Sequence, residues 1–107
     1  MTVKNYLEST YNPSDEYAIR KPIVCADGFF VSIQGGTHFH YCMPRKHCNE
    51  YETVELGFPS AEDGYIMEYA EDPSDPTGTV YRWVPIDLVE ALIEKHGGII
   101  GKIERIF

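Results

Sequence analysis

The sequence predicts an α+β domain: an antiparallel β-sheet of about four to six strands packed against one C-terminal amphipathic helix. Three observations carry this expectation. Asp27-Gly28 stands between two apolar runs, the signal for a tight hairpin. Tyr51–Phe58 alternates apolar and polar residues in the period of a half-buried strand. Pro85 opens a stretch in which Ile86, Leu88, Val89, Leu92 and Ile93 recur at helical spacing, with Asp87, Glu90 and Glu94 on the opposite side. At 107 residues, 43% hydrophobic and 24% charged, the chain has the size and composition of one globular domain.

Taken in order, residues 1–22 read as an N-terminal arm, with turn signals at Asn12-Pro13-Ser14-Asp15 and Lys21-Pro22. Tyr6, Leu7, Tyr11, Tyr17 and Ile19 give the arm apolar surface to bury through a short helix or strand; the alternative is a mobile terminus. Residues 23–107 form the single domain. A two-residue type I′ loop at Asp27-Gly28 sets Val24 opposite Val31, Cys25 opposite Phe30 and Ala26 opposite Phe29. Val24, Ala26, Phe29, Val31 and Ile33 then face the core, and Cys25, Phe30 and Ser32 face away. Thr37–Cys42 alternates as a further strand, with Phe39 and Tyr41 inward and His38, His40 and Cys42 outward. Met43–Asn49 is a loop, and the next strand, Tyr51–Phe58, buries Val54, Leu56 and Phe58. Ser60 followed by Asp63 predicts the cap of a short helix reaching about Ala70. Glu71–Gly78 is a turn-rich acidic loop, Thr79–Val84 a strand, and Pro85–His96 the helix, with Pro85 in its first turn and Gly97 as its left-handed cap. Ile99–Phe107 supplies a last strand.

The charge is uneven. Met1–Cys48 carries five basic and four acidic residues; Asn49–Glu94 carries twelve acidic residues against Arg82 alone; the tail from Lys95 has three basic and one acidic, for a net charge of −8. A field of that sign repels phosphate backbone and favours cationic surfaces, so direct nucleic-acid binding is not expected. No apolar run approaches the ~20 residues of a spanning helix, and no membrane role is expected. The N-terminus lacks a basic-then-apolar leader pattern, and the three cysteines Cys25, Cys42 and Cys48 cannot all pair within one chain. Both observations lead to the expectation of a cytoplasmic protein.

Two constellations carry the functional candidates. Glu62, Asp63, Glu68, Glu71, Asp72, Asp75, Asp87, Glu90 and Glu94 form an acidic surface suited to a basic groove of a protein partner, including a groove that normally holds nucleic acid; the plainer reading is a solvated face that maintains solubility. The Glu71–Asp75 run lacks the acid spacing of a calcium loop. His38, His40 and Cys42 on one strand face, with Cys48 or His47 returning from the loop, are ligand types zinc accepts, although paired Cys-x-x-Cys knuckles are missing. Cys42 or Cys48 beside a histidine base lacks any local signature of a nucleophile, and no catalytic residue is assigned. Arg45 and Lys46 near Tyr41 leave a third reading, sequestration of a small nucleotide. Homodimerisation through a sheet edge stays open.

Val24-Cys-Ala-Asp-Gly-Phe29, Tyr41-Cys-Met-Pro-Arg45, Val54-Glu-Leu-Gly-Phe-Pro-Ser60, Tyr69-Ala-Glu-Asp-Pro73, Val80-Tyr-Arg-Trp-Val-Pro85 and Glu94-Lys-His-Gly-Gly98 together resemble small uncharacterised proteins encoded by phages and prophages of gut Firmicutes. The resemblance spans roughly residues 23 to 99. It implies no activity and no residue roles. It implies a context, a small accessory protein inside a bacterial host cell. The expectation that follows is a non-enzymatic protein that binds and modulates a host protein with a basic surface, as an inhibitor of a host defence component. The alternatives are a zinc-binding module on His38, His40, Cys42 and Cys48, or a nucleotide-sequestering protein.

Overall fold

The computed structural model describes residues 1–38 and 40–104. It is an α+β fold with the elements α1 (Val3–Ser9), β1 (Ile23–Cys25), β2 (Phe30–Gln34), β3 (Thr53–Gly57), a single 3₁₀ turn (Met67–Tyr69), β4 (Val80–Pro85), α2 (Ile86–Lys95) and β5 (Ile99–Lys102). The five strands lie in the order β4-β3-β2-β1-β5, every neighbouring pair antiparallel. The first four strands form a meander in chain order, whose third strand is Thr53–Gly57 and not the expected Thr37–Cys42. The chain then crosses one face of the sheet through α2 and returns as β5 beside β1. The core lies between that face and the two helices: Ile23, Cys25, Val31, Ile33, Val54, Leu56, Tyr81 and Val84 from the sheet meet Val89, Leu92 and Ile93 of α2 and Val3, Tyr6 and Leu7 of α1, all buried. Each such aliphatic side chain contributes about 1.5–3 kcal/mol when removed from water.

Much of the arm is ordered. Thr2 caps α1 by accepting the Asn5 amide at 3.0 Å, and Val3, Tyr6 and Leu7 recur at the spacing that buries one helix face. The remaining free amides at the start of α1 are met from far along the chain: Glu90 on α2 accepts from Val3 at 2.7 Å and from Lys4 at 3.3 Å. Residues 12–19 are exposed, and the chain is pinned again at Arg20. The buried guanidinium there bonds Thr10 Oγ1, the Leu7 carbonyl and the Gly35 carbonyl, so a charge with no carboxylate partner among the described residues is satisfied by oxygen dipoles.

The β1–β2 hairpin forms, but its register differs by one residue from the two-residue expectation. Ile23 pairs with Val31 and Val24 with Phe30, leaving a three-residue loop, Ala26-Asp27-Gly28. Asp27 does not take positive φ; its side chain accepts the Phe29 amide at 2.9 Å, and Gly28 alone is left-handed, at φ 93°. A one-residue slip exchanges the faces. Cys25 is therefore fully buried, whereas Val24 is half-buried and Ala26 exposed.

Four further expectations are corrected. Thr37–Cys42 is not a strand among the described residues; Phe39 lies outside them, and the main chain at Tyr41 bonds the Glu55 carboxylate and the Trp83 amide, in place of a regular ladder. Phe58 is 42% exposed, because its φ of 51° turns the chain out of β3. No helix starts at Ser60: its hydroxyl accepts the Phe30 amide at 3.0 Å and its own amide donates to the Phe30 carbonyl at 2.9 Å, so the cap is engaged by β2. Pro85 precedes α2, which starts at Ile86. At the other end of α2, Gly97 has φ 92° and any Cβ there would meet the Ala26 Cβ at 2.8 Å, so glycine is required twice over. β5 covers the first residues of the expected final strand, with Ile106 and Phe107 outside the described residues.

Candidate functional site

The connection between β3 and β4, residues 58–79, carries most of the acidic candidates. From Ser60 to Thr79 it holds no lysine, arginine or histidine. Glu62, Glu68, Glu71, Asp72 and Asp75 are exposed along it. The connection has little regular structure, yet its backbone is engaged. Phe58 donates to the Thr79 carbonyl at 3.0 Å and Glu71 to the Val80 carbonyl at 2.9 Å, and Ala70 bridges Tyr81. Ile66 is fully buried and ties the middle of the connection to the core. The Tyr81 hydroxyl donates to the Pro76 carbonyl at 2.6 Å. Asp72 closes an Asx turn onto Ser74, and its own amide donates to Thr79 Oγ1. Burial pushes the Tyr81 phenol up, and the fields of Glu62 and Asp75 push it further.

Two of the nine acids tie together parts of the fold that are distant in sequence. Glu90 is half-buried and caps α1, as described above. Asp63 is 5% exposed. It accepts the Tyr65 amide at 2.9 Å, Lys95 Nζ at 3.0 Å and His96 Nε2 at 2.8 Å. His96 Nδ1 meets Asp27 Oδ2 at 2.6 Å, and its ring stacks on Phe29 at 4.0 Å between centroids. One imidazole thus joins the hairpin turn, the end of α2 and the start of the acidic connection. Burial opposes charge on both partners. For Asp63 the Tyr65 amide, His96 and Lys95 outweigh it and hold the carboxyl below its ordinary value; for His96 the bonds to Asp27 and Asp63 outweigh it and raise the imidazole above its own. The helix ordinarily favours a cation at this end. This clamp anchors the connection beside exposed Glu94. Asp87, also exposed, lies near the other end of α2, about 10 Å away along the helix axis. It lines a groove of about 720 Å³ together with Glu8, Glu50 and Glu52 but also Lys4 and Lys46.

The connection between β2 and β3, residues 35–52, holds the zinc candidates and distributes them. His38 lies 3.6 Å from Glu16 and stacks on Tyr17. His40 Nδ1 lies 3.2 Å from Glu55 Oε1. Cys42 is fully buried, with its sulfur accepting from the Gly36 amide and donating to the Gly36 carbonyl, both at 3.3 Å. Cys48, half-buried, donates to the Glu50 carbonyl at 3.1 Å. Among the described residues no three His, Cys, Asp or Glu side chains converge as a ligand set. Burial raises the thiols of Cys42 and of Cys25, the latter to about 11, which disfavours thiolate at both. Burial likewise lifts the phenol of Tyr51, whose ring covers Gly35, to about 12.

Sequence reading missed the clamp residues Asp27 and His96 as a unit, and missed Glu55. Glu55 stands on β3 between the core residues Val54 and Leu56 and points to the opposite face, 7% exposed. A glutamate in the middle of an apolar strand was the available signal; only the fold reveals that its partners are His40 and the Tyr41 amide. The pair lies in a cleft of about 150 Å³ on the outer face of the sheet. No helix among the described residues is long and apolar enough to cross a membrane. No protein-family model, curated protein or solved structure matches the chain.

Proposed function

We propose that this chain is a non-enzymatic binding protein whose acidic β3–β4 connection docks on a basic surface of a protein partner. In keeping with the resemblance to small phage-encoded proteins, the partner is a bacterial host protein and the effect is inhibition or modulation. One observation carries the reading: a connection without a single basic residue keeps five carboxylates exposed while its backbone is held by the clamp, by Ile66 and by Tyr81. A surface ordered before binding loses less entropy when it docks, and a one-signed surface steers its partner.

The test is capture from a bacterial lysate by immobilised protein, read by mass spectrometry. The triple variant Glu68→Lys, Glu71→Lys, Asp75→Lys should lose the protein that the wild type retains, and retention by the wild type should weaken with added salt. Equal capture by both would overturn the reading. Asp63 and Glu90 are unsuitable for this test, because reversing either disturbs the fold as well as the surface.

A further inference from the structure

The cleft on the outer sheet face combines a rigid polar pair with an apolar rim. Glu55 accepts on both oxygens, Oε1 from His40 Nδ1 at 3.2 Å and Oε2 from the Tyr41 amide at 3.1 Å. That fixes the ring of His40 and leaves Nε2 as its second polar atom, with no partner among the described residues. The His40 and Glu55 side chains are 15% and 9% exposed. Ser32 also lines the cleft; its Oγ accepts from Gln34 Nε2 at 2.9 Å, and its hydroxyl proton has no acceptor among the described residues. Gln34 itself is saturated by the Arg20 main chain, at 3.0 Å and 2.7 Å. Ile19, Pro22, Phe58 and Val80 supply the apolar wall, and Ile19 and Phe58 stand at 51% and 42% exposure. Phe58 is held there by its left-handed backbone, φ 51°.

We infer that the His40–Glu55 cleft is a binding site for a phenol. A cleft of about 150 Å³ matches one aromatic ring, since an apolar cavity of that size takes up benzene. A hydroxyl is the polar group that suits both handles. It donates to Nε2 when His40 is neutral, accepts from it when His40 is charged, and accepts the Ser32 proton in either state. Apolar walls with a few convergent polar groups are the ordinary composition of a small-ligand pocket. The phenol is carried either by a free small molecule or by a tyrosine side chain of another polypeptide.

The experiment titrates the full chain with p-cresol, toluene and N-acetyl-tyrosinamide, read by amide chemical shifts. Expected is saturable binding of p-cresol with shifts centred on Ser32, His40, Glu55 and Gly57, and toluene weaker by at least about tenfold for want of the hydroxyl. Gly57 lines the cleft, and a Cβ there would meet its neighbours at ordinary contact distance, 3.6 Å from the Ser32 Cβ. In the folded protein, Gly57→Val should fill the space and abolish p-cresol binding. His40→Phe should bring p-cresol down to the toluene level. Binding of N-acetyl-tyrosinamide as tight as p-cresol assigns the site to a tyrosine side chain; p-cresol alone assigns it to a free phenol. The inference is overturned by an absence of saturable p-cresol binding, by p-cresol and toluene binding alike, or by a folded Gly57→Val that binds p-cresol as the wild type does.

Discussion

The two long connections of the meander are held in opposite ways. Residues 35–52, rich in cysteine and histidine, are pinned through their own reactive side chains: the Cys42 thiol serves the Gly36 backbone, His40 serves Glu55, and the Tyr51 ring lies on Gly35. Residues 58–79, rich in acid, are pinned through backbone bonds, Ile66, Tyr81, the buried carboxylate of Asp63 and a local turn at Asp72, and five of their carboxylates stay exposed. The first connection spends its chemistry on structure; the second withholds it from structure. The difference teaches that residue type alone does not locate a site. The segment with the richer chemistry is the one in which the fold has already used most of it.

This contrast can be broken most sharply by substituting one glycine in each connection. A Cβ at Gly35 would lie 2.6 Å from the Tyr51 ring, whereas one at Gly64 meets nothing within 4 Å. Gly35→Ala should cost about 2–3 kcal/mol by urea unfolding, as overpacking against a buried ring does. Gly64→Ala should be neutral or stabilise by a few tenths of a kcal/mol up to about 1. Equal effects would remove the distinction.

A smaller loss is expected at the carboxylate the second connection does surrender. Asp63→Asn should destabilise by about 1–2 kcal/mol, since it weakens the bonds to Lys95 and His96, while Glu68→Gln should stay within about 0.5 kcal/mol. The same clamp sets a pH dependence. His96 is raised above its ordinary 6.5, so its contribution is complete below that value and is lost as pH rises through the raised one. Asp63 and Asp27 are held below their ordinary 3.8, so theirs is complete above 3.8 and is lost as pH falls through the lowered values. The clamp is therefore strongest between about 3.8 and 6.5. Thermal unfolding should show the midpoint falling from about pH 6 to pH 8 in the wild type and a flatter profile in His96→Gln.

The parts of the fold legible in the sequence were those encoded by short-range pattern: the Asp27-Gly28 hairpin, the alternation around Val54 and Leu56, and the α2 stripe ended by Gly97. Where side-chain hydrogen bonds intervened, pattern misled. Asp27 accepting the Phe29 amide lengthened the hairpin loop by one residue and carried Cys25 into the core. Ser60 capped nothing because Phe30 engaged it. Of the nine acids chosen from sequence, Asp63 and Glu90 meet partners 33 and 87 residues away, distances that no window can see. The exposure of Glu62, Glu68, Glu71, Asp72 and Asp75 agrees with the sequence reading, because a prolonged acidic run rich in proline and glycine has little means of entering a core.

On the proposed reading, the acidic connection, and not the cysteine–histidine one, meets the partner. Lysate capture by two variants side by side tests it most directly: Glu68→Lys, Glu71→Lys, Asp75→Lys on one, and His38→Gln, His47→Gln on the other. The first should lose the captured protein and the second should retain it at the wild-type level. Retention by the first with loss by the second would contradict it.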